Sequence, residues 1–335
     1  MSRAGEPPEE PCALQMEDAN RSRAPKRAAL AILKNLTPTA HSGEPARFPA
    51  EAYTWAVDIA AISEEFVTAV SGSEGAADLF GAAIAIARLG GGPIDKGEVG
   101  RQLDLIADAV DTAGSGGNPG ALAQAIDHEL FTVRGFRGAT SDYSNPKNSY
   151  LDRVIEGREG LPITLSVVYM EVARRIGLRC DGVGYPGHFI VRCGEPEDGI
   201  FVDPFHQGVR LDKAELLARL RGQHLGGATP ESFLTAVTAR QILQRMLRNL
   251  HMVFRERRDL ERWRGVVELS VRLEPWNAAL VGERGMLHYR LGDGGLALAD
   301  LQRYVEATAP ESLSNGAVRL LDELRLQFGG GEGRA

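Results

Sequence analysis

Residues 160–178, GLPITLSVVYMEVARRIGL, set the tightest limit on the fold. At helical spacing Leu161, Leu165, Val168, Val172 and Ile176 make one apolar stripe, and Ile163, Val167 and Met170 carry it nearly around the cylinder. A helix that is apolar on most sides must be enclosed by other elements. Pro162 falls at its first turn, where the missing N–H costs no hydrogen bond and the fixed φ favours helix entry. The chain must therefore supply layers that wrap this segment.

The flanking sequence shows what those layers are. From about residue 50 to 112 the pattern is helical, with Ile84, Ile86, Leu103, Leu105, Ile106 and Val110 at spacings that point toward a core. GSGGNPG at 114–120 reads as a turn, and a further helix is expected near 120–133. After the central helix, LRCDGVGYP, HFIVRC and GIFVDPF are short runs separated by turn residues, which predicts a small antiparallel sheet and an α+β core. A two-residue loop at Pro186-Gly187 pairs Tyr185 with His188 and, five steps further out on each strand, sets Cys180 opposite Cys193. Residues 230–335 return to helix. Residues 1–46, rich in Pro, Glu, Arg and Ser without periodicity, are expected to be a disordered tail with a short helix at 26–36.

Composition excludes several classes. A net charge of −7 over 335 residues gives no broad basic surface for displacing counterions from nucleic acid or anionic lipid. No apolar run reaches the roughly 18 residues that a membrane span needs, so a cytoplasmic location is expected. Three cysteines, Cys12, Cys180 and Cys193, are too few for a disulfide framework and lack zinc-knuckle spacing. No metal or cofactor site is predicted, and His128, His251 and His288 stand at no ligand spacing.

Between Pro275 and Pro310, RGMLHYRLGDGGLALADLQRYVEATAP resembles a tetratricopeptide repeat. Gly285, Gly292 and Ala297 occupy the small and turn positions, with Tyr289 and Leu301 as larger packing residues. One and a half to two repeats and a capping helix at 311–327 are expected, packed on the preceding domain. Protein or peptide contact through this face, or through a cleft in the core, is the partner reading.

The order of helix, strand opening at His188 and strand closing at Asp203 resembles the papain-like core of transglutaminases. In that family a Cys begins the helix, a His begins the next strand and an Asp follows on the third. Aligning the turn at 175–178 puts Pro162 on the nucleophile position and His188 and Asp203 on the other two. NSYLDRVIEGREGLPITLSVVYMEVARRIGL, GVGYPGHFIVR and VDPFHQG, with the tetratricopeptide tail, resemble the SirB-type transglutaminase-like proteins of bacteria, whose core also occurs in some F-box proteins. The resemblance implies a transglutaminase-like domain with N-terminal helices over 47–228, a tetratricopeptide-like helical domain over 229–328 and a flexible tail at 329–335. It also implies a protein without thiol chemistry, because proline cannot attack a carbonyl.

Three readings of the remaining dyad stay open. His188 and Asp203 are a structural pair, or the core of a ligand cleft, or part of an atypical hydrolase or acyl transferase with another nucleophile. Thr164 points about 200° from Pro162 and Ser166 lies deeper, so helix geometry disfavours both hydroxyls as nucleophiles. Asn148, Ser149, Tyr150, Thr164 and His206 are the further candidates for lining the cleft, with loop and cap hydrogen bonding as the alternative for the three that precede the helix.

Overall fold

The computed structural model describes residues 57–72, 77–221 and 225–328. The expected tail, the helix at 26–36 and the C-terminal segment from 329 lie outside them, as does Cys12.

Four helices come first: α1 (Ile59–Val70), α2 (Leu79–Arg88), α3 (Lys96–Asp108) and α4 (Pro119–Asp127). Asp58, Asp78, Asp95 and Asn118 cap them, each accepting from a backbone N–H of the first turn. The last runs on as a π-turn through His128–Val133. Ile84, Ile86, Leu103, Ile106 and Val110 are buried as the periodicity predicts, but Leu105 is 63% exposed. Helix α3 buries only the Val99, Leu103, Ile106 and Ala107 face, and Leu105 points about 200° from Leu103.

A two-residue parallel ladder joins β1 (Arg137–Gly138) to β2 (Glu159–Gly160), on either side of α5 (Leu151–Gly157). Then comes α6 (Pro162–Arg175), with every residue from Pro162 to Ala173 buried. It packs against α3, α4, α5 and both strands that follow, and also against α8 of the C-terminal half. The all-round apolar pattern is thus satisfied by neighbours on every side.

The sheet has four antiparallel strands in sequential order: β3 (Cys180–Val183), β4 (Ile190–Cys193), β5 (Ile200–Asp203) and β6 (Val209–Leu211). The first three were legible in the sequence, whereas β6 is a mostly exposed edge of three residues, too short for a readable alternation. The β3–β4 register sets Cys180 opposite Cys193, and the turn closes with the His188 N–H donating to the Tyr185 carbonyl at 3.0 Å.

Helix α7 (Lys213–Leu220) leads to α8 (Ala239–Arg257), α9 (Leu260–Leu273), α10 (Ala278–Arg290), α11 (Gly294–Ala307) and α12 (Asn315–Phe328). From α8 onward each helix packs on the next, α10 on α11 most extensively. Gly282 and Gly285 allow this approach: a Cβ on Gly282 would stand 2.8 Å from the Tyr304 ring, and one on Gly285 3.1 Å from Leu301. Gly292 turns the chain at φ 91°, and Ala297 and Leu301 are fully buried, as expected from the sequence. One apolar core runs from Ile62 to Leu324 through both halves.

Candidate functional site

Strand β5 ends at Asp203, and DPFHQG turns tightly into β6. Gln207 at φ 57° and Gly208 at φ 80° reverse the chain, and the Gly208 N–H donates back to the Asp203 carbonyl at 2.8 Å. The side chain of Asp203, 4% exposed, is held from both ends. Its Oδ1 accepts from the backbone N–H groups of Phe205 (3.0 Å) and His206 (3.2 Å). Its Oδ2 meets two imidazoles, His188 Nε2 at 2.8 Å and His206 Nδ1 at 2.7 Å. Burial works to raise this carboxyl, but the hydrogen bonds from His188 and then His206, together with their charges, outweigh it and hold the group well below the usual carboxylate range.

His188 sits two residues before β4, so its ring is placed by the turn rather than by the ladder. The Phe205 ring packs edge-on against it and against His206. Gly138 makes room for that ring: a Cβ there would lie 2.6 Å from Phe205. The Nε2 hydrogen of His188 is thus directed at the ionised Asp203 carboxylate.

His188 opens on a cleft of about 260 Å³ whose floor is the start of α6, at Pro162 and Ile163. Tyr143 and Phe233 form apolar walls, and Arg245, Arg248 and Asn249 of α8 supply a polar edge. Arg245 ties that edge to the dyad by donating to the His188 carbonyl at 3.1 Å, with its guanidinium over the Phe189 ring. Among the lining residues there is no Cys, Ser or Thr.

Several sequence candidates are placed elsewhere. Thr164 is fully buried, and its hydroxyl donates to the Asn148 carbonyl at 2.7 Å while accepting from the Leu161 N–H. Asn148 donates to the Asp142 carbonyl, Ser149 is buried, and Tyr150 starts α5 with its hydroxyl buried and its pKa raised by burial. Asn148 and Thr164 stitch the loop to the helix, and none of the four lines the cleft. Ser166 is fully buried one turn below Pro162. His206 is not a solitary loop histidine, since it shares Asp203 with His188. Tyr143, Phe233, Arg245, Arg248 and Asn249 were missed. The i, i+3, i+4 spacing of the last three puts them on one helical face, which is the signal the sequence offered.

Residues 97–248 match the transglutaminase-like superfamily and residues 238–324 the tetratricopeptide repeat. A UPF0162 protein of Xylella fastidiosa is 41% identical over 188 residues, which cover 54% of this chain and 66% of that protein, just under two thirds of its length. F-box only protein 21 of Mus musculus is 29% identical over 182 residues, 51% of this chain and 28% of its own. A Buchnera aphidicola UPF0162 protein is 24% identical over 211 residues, covering 62% of this chain and 78% of its own. No solved structure gave a significant match. No helix among the described residues is long and apolar enough to cross a membrane. The chain thus joins a transglutaminase-like domain to tetratricopeptide repeats and has UPF0162 proteins among its homologues.

Proposed function

We propose that this chain is a noncatalytic binding or regulatory protein of the SirB type, acting in the cytoplasm, in which Pro162 stands where transglutaminase-like enzymes carry their nucleophilic Cys. The observation that carries the reading is that Pro162 and His188 line one cleft whose lining residues include no thiol or aliphatic hydroxyl. The dyad keeps the orientation a base would need, with no thiol or aliphatic hydroxyl among the described lining residues for it to activate. What remains is a recess with apolar walls and a cationic edge, suited to a side chain or terminus of a protein partner. The transglutaminase-like domain spans 47–228 and the tetratricopeptide domain 229–328, the latter serving as a buttress and a second contact face.

The test pairs chemistry with binding. Purified protein is assayed for amide hydrolysis, ester hydrolysis and transamidation of glutaminyl peptides, and a peptide array is screened for retention. The expected result is turnover at the buffer rate, together with retained peptides whose affinity falls at least tenfold in Tyr143→Ala and in Arg248→Glu. Turnover abolished by His188→Ala would overturn the reading in favour of a hydrolase or acyl transferase using water or another nucleophile.

A further inference from the structure

We infer that His188, Asp203 and His206 form a site for one divalent metal ion of the zinc type, bound by two imidazole nitrogens and one carboxylate oxygen. The three ligand atoms lie within 4.8 Å of one another and come from a turn, a strand end and a loop. Two imidazoles and a carboxylate with a further position open are the donor set of a three-ligand zinc site.

The way Asp203 is held supports a ligand role beyond orientation of His188. Oδ1 is tied to two backbone N–H groups, so the carboxylate cannot rotate, and Oδ2 alone faces both rings. Anchoring one oxygen while presenting the other is the outer-shell arrangement that fixes a monodentate metal ligand. Orienting one imidazole needs no second ring on the same oxygen, yet the turn in which the His206 N–H donates to Asp203 Oδ1 also brings the His206 ring back to Oδ2. A tetrahedral ion with bonds near 2.0–2.1 Å would set the N···O edges at roughly 3.3 Å. The present edges of 2.8 and 2.7 Å are therefore each short by about half an ångström. Half-exposed His206 can supply its own shift on its loop, and the edge to His188 lengthens by a small movement of that ring, which the turn and not the ladder places.

Coordination needs the lone pairs of His188 Nε2 and His206 Nδ1. For neutral rings the hydrogens now directed at Oδ2 move to His188 Nδ1 and His206 Nε2, with no net proton released. The ion would sit at the end of the cleft reached by His188 and leave the Arg248 edge open.

The probes are Zn²⁺ and Co²⁺, added to tag-free, chelator-stripped full-length protein. The expected result is one Co²⁺ per chain with visible absorption of a four- or five-coordinate ion, no thiolate charge-transfer band, and displacement by Zn²⁺. His188→Ala and His206→Asn should each weaken binding at least tenfold, with folding checked by circular dichroism. His206→Asn removes a metal ligand outside the cleft lining, so it tests the ion independently of peptide retention. If His188→Ala fails to fold, the loop variant decides. Absence of binding up to millimolar ion, or affinity unchanged in His206→Asn, would overturn the site. A thiolate band lost in Cys193→Ser would also overturn it by moving the ion to the cysteine pair.

Discussion

Two carboxylates show how position sets the sign of a titration. Asp127, which accepts from the Tyr169 hydroxyl at 3.0 Å and pairs with Arg210 at 2.7 Å, is pushed up to about 6 by burial, against the pull of Arg210 and Tyr169. A raised folded value means that its contribution to stability is fully present below the unfolded pKa, near 4, and is lost as pH rises through about 6. The shift corresponds to on the order of 3 kcal/mol. Asp127→Asn should therefore flatten the stability profile between pH 4 and 7, read as urea midpoints across that window; an unchanged slope would rule Asp127 out as its source. Asp203 is the opposite case. Its depressed pKa makes the contribution present above the unfolded value and lost only as pH falls through the lower folded one. Asp203→Asn should cost about 2 kcal/mol at pH 7 from the loss of charge-assisted bonds to both histidines, and markedly less at pH 2. Equal losses at the two pH values would contradict the pairing.

At the scale of elements, the β3–β4 hairpin offers a direct check. The Cys180 and Cys193 sulfurs lie 3.2 Å apart across directly opposed positions, and both thiols are free. Burial, then the contact with Cys193, raises the Cys180 thiol well above its ordinary value, so thiolate is scarce at neutral pH. A mild oxidant should close the bridge slowly at pH 7 and faster at pH 9, as mapped by peptide mass spectrometry. A dithiol that stays unbridged at pH 9, with both thiols alkylatable, would count against the hairpin geometry. The α10–α11 pair is equally specific, and Gly282→Ala should cost about 1–3 kcal/mol by pressing on the Tyr304 ring. A thermal midpoint within error of wild type would show that the pair can yield.

These elements also show what a sequence can reveal. Helix α6 and the hairpin register were legible because apolar periodicity and a two-residue turn leave few alternatives. Strand β6 and the convergence of His206 on Asp203 were not, because β6 is only three residues long and the convergence depends on the local turn in which the His206 N–H donates to Asp203 Oδ1. His188 and Asp203 could be named through the resemblance to transglutaminases, but the α8 residues opposite His188 could not, because 57 positions of chain separate it from Arg245.

The whole molecule is tied together by charge as well as by its continuous core. Arg284 of α10 donates to both oxygens of Asp300 on α11 and to Glu268 on α9, each at 2.7 Å. Glu283, 2% exposed, accepts from Trp263 of α9 and pairs with His251 of α8. Arg284→Ala would strand two partly or fully buried carboxylates and should cost about 3–5 kcal/mol. Because α9, which Arg284 holds, packs on α8, and α8 lines the cleft, this variant should weaken cleft binding along with helix packing. Unfolding in two separated transitions, with the cleft intact, would instead make the halves independent.

On the proposed function, the cleft at the start of α6 retains the geometry of a thiol enzyme with Pro162 in the nucleophile's place. Alkylation of Pro162→Cys by iodoacetamide as a function of pH addresses it most directly. A thiol beside His188 and the first turn of α6 should react with a midpoint at least one pH unit below the 8.5 or so of an unperturbed thiol, and His188→Ala in the same background should raise that midpoint. A midpoint at or above the unperturbed value in an accessible, folded variant, indifferent to His188, would contradict the account.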